Sequence, residues 1–84
     1  MANPDDARTR DTILTLVTAR GAGKTICPSE VAKELDPENW RSLLTKVRRT
    51  AQAMAKQGEI AIYRKGKPIE LDAMKGVIRL GLRP

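Results

Sequence analysis

Apolar residues enter the chain first at helical spacing. Ile13, Leu14, Leu16 and Val17 form one stripe, and a first helix is predicted from about Pro4 or Asp5 to Arg20. Asp5 and Asp6 lie where acidic groups suit a helix N-terminus, and Gly21-Ala22-Gly23 stops the run. Thr25-Ile26-Cys27 reads as a minimal strand or an extended link. Pro28 suits the first position of a second helix, where its missing N–H costs nothing. Val31, Ala32 and Leu35 give that two-turn helix its buried side. Asp36-Pro37-Glu38-Asn39 is a turn with Asp36 or Asn39 as the next N-cap.

The third helix is the longest, from about Pro37 or Trp40 to Gln57. At about 100° per residue, Trp40, Leu43, Leu44, Val47, Ala51, Met54 and Ala55 share one apolar arc. Ser42, Thr45, Lys46, Arg49, Gln52, Ala53 and Lys56 lie opposite. After Gly58 the period changes to two: Ile60, Ile62 and Arg64 alternate with Ala61, Tyr63 and Lys65, as in a strand. Val77-Ile78-Arg79-Leu80 is a second β-favouring run. Residues 66–76 are expected to join the two, with a short extended piece around Ile69, and Gly81-Leu82-Arg83-Pro84 is expected to be a loose tail. The expected fold is α+β, three helices plus a small antiparallel hairpin between Glu59 and Leu80, in a single domain with its core in about residues 5–80.

This order and these residues resemble a winged helix-turn-helix. Thr25-Ile26-Cys27-Pro28-Ser29-Glu30-Val31-Ala32 is similar to the entry into the second helix of winged-helix regulators. Trp40-Arg41-Ser42-Leu43-Leu44 with Val47-Arg48-Arg49 resembles their third helix. Gly58-Glu59-Ile60, Arg64-Lys65-Gly66-Lys67-Pro68 and Lys75-Gly76-Val77-Ile78-Arg79-Leu80 complete the likeness. Over roughly residues 8–80 the blocks look like a small bacterial family known only as a domain of unknown function. The wider class implies DNA binding, often in transcription regulation, and in a minority of members protein contacts alone.

Charge sharpens the picture. The 84 residues carry a net charge of +6. Residues 1–38 hold five basic and seven acidic side chains, whereas residues 39–84 hold eleven and three. The C-terminal half therefore faces a polyanion in this reading. The polar face of the third helix supplies Ser42, Thr45, Lys46 and Arg49 as candidates for base edges, since a docked helix reads mostly with its N-terminal half. Gln52 shares that face, and Lys56 lies further along, better placed for phosphate. Arg41 and Arg48 flank the apolar arc. Arg64, Lys65 and Lys67 surround Gly66 at the hairpin tip, where basic side chains can follow a phosphate backbone or a narrow minor groove. The expected partner is double-stranded DNA. A homodimer or a protein partner is the other kind of assembly considered.

Other chemistries lack their residues. Histidine is absent, Cys27 is the lone cysteine, and the ten carboxylates form no convincing pair. No enzyme activity, metal or cofactor is expected. Glu30 and Glu34, at i and i+4, read as a solvated face beside Lys33. Gly21-Ala22-Gly23-Lys24-Thr25 echoes a P-loop, but Thr18 stands where its first glycine belongs and no helix follows directly. Single-stranded RNA would call for aromatic platforms, and Trp40 and Tyr63 are the only aromatics, Trp40 being expected in the core. With no signal-peptide pattern at the N-terminus and no apolar run near the ~20 residues of a span, a cytoplasmic protein without a membrane role is expected. The alternative is a protein-interaction module with Leu71, Met74 and Leu82 as an exposed apolar patch.

Overall fold

The computed structural model describes residues 6–69 and 76–84. Among these, three helices and four strands follow in the order α1 (Asp6–Arg20), β1 (Thr25–Ile26), α2 (Pro28–Leu35), α3 (Trp40–Lys56), β2 (Ala61–Arg64), β3 (Lys67–Pro68) and β4 (Arg79–Gly81). The strands form one antiparallel sheet in the order β1-β4-β2-β3. This is an α+β arrangement compatible with a winged helix. The start proposed for the first helix, at Pro4 or Asp5, lies outside the described residues.

Each helix ends for a local reason. Gly21 follows α1 and its amide donates back to the Val17 carbonyl at 3.1 Å. Cys27 caps α2: it is the last extended residue before Pro28 and not part of β1. Its amide donates to Glu30 Oε2 at 2.7 Å, satisfying a backbone group that a helix start would leave open. In the turn before α3, Asp36 Oδ1 accepts from the amides of Glu38 and Asn39, both at 3.2 Å. Asn39 takes the N-cap position without a side-chain cap bond, its Nδ2 donating instead to Asp36 Oδ2 at 3.4 Å. At the far end Gly58 N donates to Ala55 O and Glu59 N to Met54 O, at 3.1 and 2.9 Å. That pair is a Schellman closure, and Gln57 is the cap rather than the last helical residue.

The core lies between the three helices and one face of the sheet. Ile26, Leu80 and Ile62 occupy one register row across β1, β4 and β2, all buried. Against them pack Ile13 and Val17 of α1, Val31, Ala32 and Leu35 of α2, and Leu43, Val47, Ala51 and Met54 of α3. Fully burying each of the larger aliphatics contributes roughly 1.5–3 kcal/mol.

Two helical faces are rotated relative to expectation. On α1 the buried line is Thr9–Ile13–Val17, and Leu14 and Leu16 are half-buried flanks. On α3 the buried face reaches Thr50, while Trp40, Leu44 and Ala55 stay partly exposed at its margin. Trp40 is therefore not a core residue. Lys33 Nζ and Arg41 Cζ each stand 4.6 Å from its ring centroid, and such cation–π contacts let an indole remain at the surface.

The sheet also differs from a simple two-stranded wing. β2 does pair with β4, with Ile62 opposite Leu80 and Tyr63 opposite Arg79. Before that, however, the chain turns straight back after Arg64 to form β3 on the other side of β2. Arg64 pairs with Lys67, which leaves Lys65-Gly66 as a two-residue loop with φ of 52° and 81°. Two positive φ values define a type I′ turn, whose twist matches that of the flanking strands. Pro68 is tolerated because β3 is an edge.

The C-terminal residues are not a loose tail. Gly81 belongs to β4 and pairs with both Thr25 and Ala61. Leu82 packs against the core, and its carbonyl accepts the Tyr63 hydroxyl at 2.6 Å. Arg83 Nη1 donates to Gly58 O at 3.3 Å. Backbone pairing on both sides, unseen in a four-residue composition, is what orders this segment.

Candidate functional site

The outward side of α3 is built by the same periodicity that builds its core. Thr45, Arg49 and Lys56 project as exposed side chains, Ser42 and Ala53 lie exposed on one flank, and Lys46 and Gln52 are half-buried. Ser42 is partly committed to the backbone, its hydroxyl donating to Asn39 O at 2.8 Å. That leaves its oxygen free to accept only.

Ser42, Thr45, Lys46 and Arg49 come together. They line an open groove of about 600 Å³ with Thr50 and Ala53, whose opposite wall is the first turn and a half of α1, Asp6 and Arg10. Gln52 and Lys56 lie outside the groove lining, further along α3. Arg64, Lys65 and Lys67 belong to the β2–β3 hairpin, with Lys65, Gly66 and Lys67 exposed at its tip.

The sequence marks Asp6 only as a helix-start acid and does not single out Arg10. Their signal was present: at 100° per residue they fall in the arc of Ile13 and Val17, one and two turns further toward the N-terminus. A polar extension of a buried stripe marks where that stripe leaves the core and meets a neighbour, here α3.

The charges in and around the groove are not equivalent. Lys46 Nζ lies 3.4 Å from Asp6 Oδ1. Arg10 is ion-paired with Glu59 and donates to Gln57 Oε1 at 3.4 Å. Arg48 donates to Gly76 O at 3.0 Å, tying α3 to the segment that leads into β4. Gln52 and Arg64 have further interactions within the protein. Among the described residues Arg49, Lys56, Lys65 and Lys67 make no ion pair.

A second polar cluster sits at the start of α2. Glu30 accepts from the Cys27 amide and from Arg20 Nη2 at 2.6 Å. Arg20 and Arg79 both donate to the Thr25 carbonyl at 3.1 Å, and Arg79 Nε donates to Thr25 Oγ1 at 2.6 Å. The Cys27 amide holds the Glu30 carboxyl below its ordinary value of 4.5; partial burial opposes this, and Arg20 and then Arg79 reinforce it. Every group is matched within the cluster, so it is a fastening between α1, β1, β4 and α2. Glu30 is thus engaged in the fold, and only Glu34 of the i, i+4 pair is exposed. Cys27 is half-buried and accepts a hydrogen bond from the Ser29 hydroxyl at 3.1 Å.

Of the apolar patch considered for protein contacts, Leu82 folds onto the core, and Leu71 and Met74 lie outside the described residues. The exposed large apolar side chain among the described residues is Val77, at 82 %. No helix among them is long and apolar enough to cross a membrane.

The family model described as a protein of unknown function (DUF3253) matches residues 6–83. No curated protein gives a significant match.

Proposed function

The chain belongs to the DUF3253 family, and from that premise we propose that it is a winged-helix module that binds double-stranded DNA, in the manner of a transcriptional regulator. α3 enters the major groove, with Ser42, Thr45, Lys46 and Arg49 toward base edges and Lys46 also meeting the phosphodiester that borders the groove. Gln52 and Lys56 contact the backbone further along. The β2–β3 hairpin is the wing, and Arg64, Lys65 and Lys67 follow the phosphates beside it. No catalytic step is assigned to the domain.

One observation carries the reading. Arg49, Lys56, Lys65 and Lys67 have no acidic partner among the described residues, although unpaired like charges on a small domain oppose its compact state. Lys65 adds backbone strain. It holds a φ of 52° at the tip of the turn, where asparagine or glycine would sit more easily and lysine costs about 1 kcal/mol. A purely structural hairpin has no use for that residue there.

A salt-dependent fluorescence titration against random duplex DNA tests the proposal. Binding should weaken with salt at a log–log slope of about −0.9 for each phosphate neutralised. Absence of duplex binding at low salt rejects it. The protein-contact alternative has Val77 in its favour, but among the described residues that one valine is far smaller than the apolar patches that mark interfaces.

A further inference from the structure

Among the described residues, the groove between α1 and α3 is lined by one acid, Asp6, among cations. Asp6 Oδ1 reaches Lys46 Nζ at 3.4 Å, and Arg10 and Arg49 line the same groove beside the hydroxyls of Ser42 and Thr45. The Lys46 side chain is 31 % exposed, whereas that of Asp6 is 83 % exposed. The carboxylate thus stands at the rim, on the first residue described for α1, in contact with solvent. Ion pairs of this kind are weak and are readily exchanged. A phosphodiester oxygen makes the same charge-assisted bond to an ammonium group as a carboxylate does.

We propose that Asp6 is an internal competitor for the DNA backbone: its carboxylate occupies Lys46 in the free protein and must be displaced by a phosphodiester before the groove takes DNA. This rests on the DNA-binding reading above. The displaced acid remains beside the incoming phosphate and repels it. It also recovers the solvent and counterions that Lys46 had replaced, so the net counterion release at Lys46 is smaller than for a free lysine. The first turn of α1 therefore lowers affinity and flattens its salt dependence, and it does so without touching a base.

The test compares Asp6→Asn with Asp11→Asn in the full chain. Both remove one negative charge from α1, but Asp11 lines a separate groove with Arg8 and Glu34. Random duplex DNA is titrated between about 50 and 200 mM salt. Asp6→Asn should tighten binding about two- to fivefold at the low end and steepen the salt slope by up to about 0.9. Asp11→Asn should give a smaller gain at unchanged slope. In a Lys46→Ala background the Asp6→Asn gain should fall to that of Asp11→Asn, with no change of slope. Asp6→Ser keeps a side chain suited to a helix start, and it carries the comparison if Asp6→Asn lowers the melting temperature. Equal effects of the two Asn variants on a protein that binds duplex overturn this inference and leave the DNA-binding reading standing. A failure of every variant to bind at low salt overturns both.

Discussion

Two sets of cations, one beside the sheet and α1 and one on the outer side of α3 and the hairpin tip, have the same chemistry and opposite circumstances. Arg10 and Arg20 are spent on carboxylates, a side-chain amide and a backbone carbonyl that join α1 to the rest of the fold, and Arg79 is spent on Thr25, joining β4 to β1. Arg49, Lys56, Lys65 and Lys67 make no ion pair among the described residues. Net charge alone does not separate the two sets. Partnership does: it sets Arg10, Arg20 and Arg79, which hold the domain together, apart from four cations that the proposed function gives to DNA, whereas Lys46, paired with Asp6, stands between the two sets.

The comparison breaks most sharply at Arg49. Arg49→Ala should leave the melting temperature within a degree or two. It should also weaken binding to a preferred duplex by about 1–3 kcal/mol, the worth of a bidentate base contact, and weaken random duplex less. The mirror experiment is Arg10→Ala, which leaves Glu59 without its cation while Glu59 Oε2 is already buried without a hydrogen-bond partner among the described residues. A loss of about 1–2 kcal/mol is expected, or roughly 4–8 °C in melting temperature for each kcal/mol in a domain of this size. If Arg10→Ala leaves the melt unchanged, the division between structural and ligand cations fails.

Lys65→Asn joins both sides of the contrast in one residue. Relief of the left-handed lysine should stabilise the fold by about 0.5–1 kcal/mol. Loss of its charge should make the salt slope for duplex shallower by about 0.9. Stability and affinity moving in opposite directions identifies a strained ligand residue, and a parallel change would make the turn merely structural.

The smallest effect lies at Glu30. Its carboxyl is depressed in the folded protein, so its contribution is present above about pH 4.5, its ordinary value, and is lost as pH falls through the lower folded value. Glu30→Ala should cost about 0.5–1 kcal/mol at neutral pH, at the low end for a helix-start contact because the side chain is 39 % exposed. Glu30→Gln should flatten the acid limb of the stability profile between pH 4.5 and that folded value, as followed by thermal melts.

The helices were legible because Gly21, Pro28, Asp36 and Gly58 punctuate the chain and the apolar spacing fills the intervals. The hairpin was less so. Lys65-Gly66 lacks the Asn-Gly or Asp-Gly wording of a type I′ turn, and Pro68 argues against a strand unless the strand is known to be an edge. The fate of Trp40 depended on Lys33, which belongs to another helix. Four of the nine candidate residues, Ser42, Thr45, Lys46 and Arg49, share one groove because a single helix face carries them all. Its far wall was hidden, since which helix Asp6 and Arg10 would meet is a matter of tertiary packing.

Gly81 shows how little room the sheet leaves at its outer row. A Cβ there would stand 3.0 Å from Lys24 O, 3.1 Å from Tyr63 Cε2 and 3.3 Å from Thr25 Cγ2. The tyrosine ring lies across the missing side chain, and its hydroxyl clasps the next residue. The last strand is thereby latched from above as well as along both sides, and even one methyl group at position 81 would prise that latch open.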